Sequence, residues 1–251
     1  MAKKFIYDSA GYYEATFTEG THNGSVFSAD NTILNHERLF DGNISTAVTN
    51  FASADSLKID LGSAVAVSAI ALYFSSSEAD DLTLYGSANS NLASPSTTNA
   101  MTTTFSAGWT VATFTEDTKQ YWSLRSTSGA IANLTEFFIG TEYTFDQEPS
   151  VGSVTGKEYG NELHKTIGGR EFSFKHHDSK STWDFKFDFL DSDAKGKLVS
   201  LRDGVVGGHK KFLYYDGTSY NYVRMNEGSL NFTEVMPSVF NTSVKLVQQL
   251  S

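Results

Sequence analysis

Residues 39–62, LFDGNISTAVTNFASADSLKIDLG, set an oxygen-rich turn about a dozen residues ahead of a half-buried strand, and few folds need both in that order. Asp41, Gly42 and Asn43, with Thr46 close behind, gather side-chain oxygens around a glycine free to take positive φ. That composition suits a tight turn, with or without a bound hard cation. Leu57 to Leu61 then alternate apolar and polar side chains at period two, as a strand with one buried face does. Further strands are predicted over Val67–Tyr73, Leu82–Ser87, Val111–Phe114 and Tyr121–Arg125.

Taken in order, the DGN turn, the IDLG strand, the V-x-x-I-x-L strand, a strand ending in Gly86-Ser87, YWSLR at 121–125 and TEFFIG at 135–140 resemble the discoidin, or coagulation-factor type C, family. The resemblance covers roughly residues 30–140 and implies a galactose-binding-like β-sandwich. Many members of that family bind sugars or lipid head groups through loops at one end, and others only hold larger proteins together. The resemblance also implies a structural cation, Ca²⁺, held by Leu39, Asp41, Asn43 and Thr46 together with Glu136 of the closing strand. Ca²⁺ takes six to eight oxygens at about 2.3–2.6 Å, and this set offers most of them. Without an ion, Asx-type hydrogen bonds close the same turn.

At 251 residues the chain can bury one large core or two ordinary ones without staples. Cysteine is absent, which excludes disulfides and thiolate chemistry. With 19 Phe and 12 Tyr against 3 Pro, the composition favours strands. No apolar run is long enough to span a bilayer, and residues 1–8 lack the apolar core of a signal peptide. The expectation is a protein made and kept in the cytosol, or leaving it as part of something larger, with no membrane insertion. Residues 1–145 hold 6 Lys and Arg against 15 Asp and Glu, whereas 146–251 hold 13 against 14. An acidic first half argues against nucleic acid as a partner, since nothing there replaces the counterions around phosphates.

Three regions are expected: an aromatic arm or short strands over 1–29, the sandwich over 30–145, and a second domain over 146–251, with the break marked by Pro149, Gly152 and Gly156. Residues 88–108 read as a long exposed polar loop. In the second domain Trp183, Phe185, Phe187 and Phe189 alternate with charged or polar residues and are expected to share one buried face. Residues 191–203 read as the one helix, with Asp191 or Ser192 as N-cap and Ala194, Leu198 and Leu201 on one stripe. The fold class expected is therefore all-β: a discoidin-type sandwich followed by a second β-sandwich with one short flanking helix.

The Gly168-Gly169 turn, the W-x-F-x-F-x-F strand, the L-x-x-L helix, the Gly207-Gly208 turn before KFLYYD, a Y-x-R strand and the terminal VKLVQ resemble distal-tail and minor-tail proteins of bacteriophages. That resemblance implies a virion structural protein assembled in the host cytoplasm. It would form a ring around the tail or baseplate, with other tail proteins and copies of itself as partners. The acidic first domain would face outward, where a host-surface glycan is a possible ligand. The alternative is a soluble carbohydrate-binding or adhesin component. No enzyme is expected, because no nucleophile–base set, paired catalytic carboxylates or His-rich metal motif stands out. His176-His177 beside Asp178 reads as a solvated turn. For a sugar, Tyr73-Phe74, Phe51 and Trp109 are the aromatic candidates, with Trp109 read as core rather than platform.

Overall fold

The computed structural model describes residues 3–8, 26–29, 33–40, 43–53, 55–79, 81–90, 97–100, 105–127, 129–145, 147–208, 210–226 and 230–249. Two compact units emerge, one over Lys4–Tyr143 and one over Thr144–Gly217 with Asn221–Leu250. The strands of the first are β1 (Lys4–Asp8), β2 (Val26–Ala29), β3 (Ser56–Phe74), β4 (Leu82–Ser87), β5 (Thr97–Ala100), β6 (Gly108–Ser126) and β7 (Leu134–Thr144). Those of the second are β8 (Val154–Lys165), β9 (Glu171–Leu190), β10 (Lys211–Tyr215), β11 (Tyr220–Met225), β12 (Thr233–Met236) and β13 (Val239–Gln248). Among the described residues its single α-helix, α1 (Ser192–Gly204), follows β9. The chain is all-β and antiparallel with one short helix, the class expected.

In the N-terminal unit the sheet runs β5-β4-β6-β3-β7-β1, with β2 also on β3. β3 is its spine. One side pairs with β6 nearly end to end, and the other pairs first with β2 and then with β7. The two strands expected over 57–61 and 67–73 are thus halves of one strand. Gly62, at φ 75°, marks a bulge between them where the β3–β6 register shifts. Such a bulge bends a strand and leaves the ladder intact on both sides. The strands expected at 111–114 and 121–125 fuse in the same way into β6. Leu57, Ile59 and Leu61 are buried on one face; past the bulge Val67, Ala69, Ile70, Ala71 and Leu72 are buried on both. β5 is a correction, since part of the expected 88–108 loop pairs with β4 through Gly86 and Thr97 to Thr83 and Ala100. A strand reading Thr97-Thr98-Asn99-Ala100 carries no apolar alternation to announce itself. Of the 1–29 arm, Tyr12, Tyr13 and Phe17 lie outside the described residues.

The C-terminal unit orders its strands β10-β11-β13-β9-β8, with β12 on β13. Trp183, Phe185 and Phe187 are buried as expected, and Trp183 and Phe185 set their rings 5.3 and 5.4 Å from Tyr214. Burial raises the Tyr214 hydroxyl above the usual phenol range, and the charges of Asp216 and Glu148 push the same way. Phe189 departs from the expected face: it is 65% exposed and Leu190 is buried instead. Opposite Thr242 and Phe240, β9 uses an extra residue between Phe187 and Leu190. Phe189 takes that place at φ 60°, its N–H donating to Asn241 Oδ1 at 2.9 Å. One added residue reverses the alternation.

Asp191 caps α1 by accepting from Ala194 N at 2.8 Å, and Leu198 and Leu201 are buried, as expected. Lys195 seats the helix on β13, its Nζ 3.6 Å from the Phe240 ring centre. After α1 the chain turns through Gly207 and Gly208. Gly208 has φ 106°, and a Cβ there would lie 2.4 Å from the Met225 carbonyl oxygen. His176 and His177, expected in a turn, lie inside β9. The His177 ring covers Gly160 across the ladder, so closely that a Cβ on Gly160 would fall 2.4 Å from it.

Candidate functional site

The end of β3 at Phe74 is where the aromatic candidates collect. Tyr73 on β3 stands opposite Trp109 on β6 and Glu136 on β7. Directly opposed residues of antiparallel strands share a face, so the three form one row across the sheet. The Tyr73 and Trp109 rings meet edge to face, with centroids 5.3 Å apart and planes at 80°. Both are half-buried, whereas Glu136 is 1% exposed. Phe74 points to the other face and stacks on Phe105 at 4.5 Å in the core. Phe51 is buried as well. Of the four aromatic candidates, then, Tyr73 and Trp109 stay accessible, and Trp109 is not the full core residue expected.

Glu78 ties the loops at this end together. Its carboxylate Oε2 accepts from the N–H groups of Ala132 and Asn133, each at 3.2 Å, and from Asn133 Nδ2 at 2.9 Å. Its backbone exchanges both hydrogen bonds with Phe105. Three segments, 75–79, 105–108 and 131–134, are held by one residue. Nothing in the sequence around Glu78 signals this role, because its partners lie more than 25 residues away in the chain.

The cation set implied by resemblance is only partly brought together. Asp41 lies outside the described residues. Asn43 closes the turn, its Oδ1 accepting from Ser45 N and its carbonyl from Thr46 N and Thr46 Oγ1, at 3.0–3.1 Å. Leu39 is buried at the end of a 3-10 turn over His36–Phe40. The segment after the turn reaches β7 through Val48 N, which donates to Leu134 O at 3.0 Å, two residues from Glu136. Among the described residues no three His, Cys, Asp or Glu side chains come together to hold a metal. A second polar feature lies on the outer face of β4 and β6, where the Arg125 guanidinium sits 4.6 Å over the Tyr85 ring beside Ser123.

No family model matches the chain, and no curated protein matches it. Among solved structures, chitosan-binding module 2 of a Paenibacillus sp. IK-5 chitosanase/glucanase, in complex with chitotriose, is similar at 20% identity. That match covers 47% of this chain and 96% of the module, with a TM-score of 0.38. Chitosan-binding module 1 of the same enzyme is similar at 26% identity over 47% of this chain and 98% of its own, TM-score 0.35. The family 32 carbohydrate-binding module of C. perfringens NanJ, in complex with galactose, is similar at 16% identity over 56% of this chain and 99% of its own, TM-score 0.38.

Proposed function

We propose that the protein is a non-catalytic glycan-binding protein whose Lys4–Tyr143 unit holds sugar at the Phe74 end of β3. The observation that carries this reading is the Tyr73–Trp109 pair: two half-buried rings locked edge to face on a strand end. The apolar face of a sugar ring packs on such side chains, and polar groups at the rim fix its orientation. Loops already held by Glu78 add little ordering cost when ligand arrives. Titration calorimetry with chitotriose and galactose, the sugars held by two of the structures above, tests it. Trp109→Ala should weaken binding at least roughly tenfold, as loss of an aromatic anchor does, whereas Tyr85→Ala leaves it unchanged. Failure of every sugar on a broad glycan array to bind overturns the reading.

A Ca²⁺ ion at Leu39, Asp41, Asn43, Thr46 and Glu136 belongs to the same proposal. It is supported by a buried carboxylate close to the residue that receives the segment after the turn. A chelator should then lower the melting temperature, by mass action on the folded state, and Asp41→Ala should abolish that sensitivity. An unchanged melt leaves a turn closed by hydrogen bonds alone.

A second reading is a ring-forming component of a bacteriophage tail or baseplate. The resemblance of residues 146–251 supports it, as do the apolar side chains exposed along β8 and β9. Presence or absence of the protein in purified particles decides it.

A further inference from the structure

Resting on the glycan-binding reading above, we infer that Glu78 makes that site selective for amino sugars whose amine is free and positively charged. Glu78 is tied into both strand ends that bear the rings. Its backbone exchanges hydrogen bonds with Phe105, a few residues before Trp109. Its carboxylate holds Asn133, and the Asn133 carbonyl accepts from Ser75 N at 3.0 Å, just past Tyr73.

The carboxylate is occupied on one side only. Its three donors, Ala132 N, Asn133 N and Asn133 Nδ2, all meet Oε2, at 2.9–3.2 Å. Oε1 takes no hydrogen bond among the described residues, and in the half-buried Glu78 it stays open to solvent. A carboxylate only accepts, and each of its oxygens has its own lone pairs. Donors on Oε2 therefore fix the group and leave Oε1 as an acceptor held in place before ligand arrives.

Charge decides what that oxygen accepts from. Residues 73–79, 105–110 and 131–136, which build this end, contain Glu78 and Glu136 and no Lys, Arg or His. The 43–53 segment, joined to them by the Phe51–Ile131 bridge and by Val48 N on Leu134 O, has no charged residue. Glu136 is buried, which leaves Glu78 as the carboxylate open to a ligand. Basic side chains are engaged elsewhere: Lys4 with Glu142, Lys119 with Asp117, and Arg125 over Tyr85. Across residues 4–143 there are 5 Lys and Arg against 15 Asp and Glu. A uronate or sulfated sugar would bring its anion to a carboxylate with no counter-charge. An ammonium gains instead, from a charge-assisted bond to Oε1, about twice as strong as a neutral one, and from attraction to aromatic ring faces.

Titration calorimetry of the full chain with trimers of glucosamine, N-acetylglucosamine and galacturonic acid tests this. The glucosamine trimer should bind at least roughly tenfold tighter than the other two, with a margin that shrinks as salt rises. Glu78→Gln keeps a carbonyl oxygen for the three loop donors but sets an amide NH₂ where Oε1 was, so the charge and the open acceptor go together. A melting curve matching the parent's verifies that the loops stay held, and the preference for glucosamine should fall to near parity. Tyr85→Ala, on the outer face of β4, should keep the full preference. If the parent chain binds either other trimer as tightly as glucosamine, or Glu78→Gln retains the preference, the inference is overturned and the glycan-binding reading stands. A chain that binds no sugar on the broad array overturns both.

Discussion

β3–β6 in the N-terminal unit and β8–β9 in the C-terminal unit are the two longest antiparallel ladders, yet their side chains live in different solvents. β3 is flanked on both sides, and past its bulge both faces are buried, so its run Val67 to Leu72 reads as nearly continuous apolar sequence. β9 changes surroundings midway. From Trp183 to Phe187 it alternates buried and exposed, whereas Phe172 and Phe174, of the same residue type and the same local pattern, stand in water. Alternation records which side chains share a face, but whether anything covers that face is decided by strands far away in the chain.

The sharpest way to break this comparison is to truncate the same residue in the two halves of β9. Phe187→Ala should cost roughly 3–5 kcal/mol of stability, as a large-to-small core change, and Phe174→Ala within about 0.5 kcal/mol. Denaturant unfolding measures both, and a Phe174→Ala loss comparable to that of Phe187→Ala would show Phe174 to be covered in the isolated chain. Glycines offer a second, smaller contrast. Gly208→Ala should cost roughly 1–3 kcal/mol or more, because positive φ is joined there by a backbone clash at Met225. Gly169→Ala, at φ 78° in the hairpin turn with nothing within 4 Å, should cost less in the same assay.

The smallest effect is in pH dependence. Tyr214 has its hydroxyl pKa raised in the folded state, so its contribution to stability is complete below the unfolded value of about 10. It is lost as pH rises from there through the folded value. Tyr214→Phe should flatten that alkaline decline in melting temperature. Asp178 on β9 shifts the other way, held down by its hydrogen bond and charge interaction with Lys175, so its contribution is present above the unfolded carboxylate range and lost as pH falls. Being fully exposed, that pair is screened, and Asp178→Asn should leave the acid limb of the melting curve in place at physiological salt.

How much of this is legible in the residues depends on the range of the interaction that decides it. The Asp191 cap, the L-x-x-L stripe of α1 and the period-two run over 57–61 are local, and they are found where they are expected. The exposure of Phe189 is not local: it follows from a bulge against Asn241, more than 50 residues away. The sequence separates a strand over 57–61 from one over 67–73, but β6 pairs on both sides of Gly62 and makes them one bent strand. At the candidate site the aromatic residues are visible as a set, yet only the opposite tilts of Tyr73 and Phe74 separate a surface ring from a core ring. Glu78 carries no local mark at all.

The continuity of β3 has a mechanical consequence. Tension applied along it at Tyr73 runs parallel to the strand and perpendicular to its hydrogen bonds with β6 and β7. Those bonds are then loaded in shear and must yield together, rather than unzip one after another. A strand broken at Gly62 would hand the load to a loop; the unbroken one spreads it over the length of the unit.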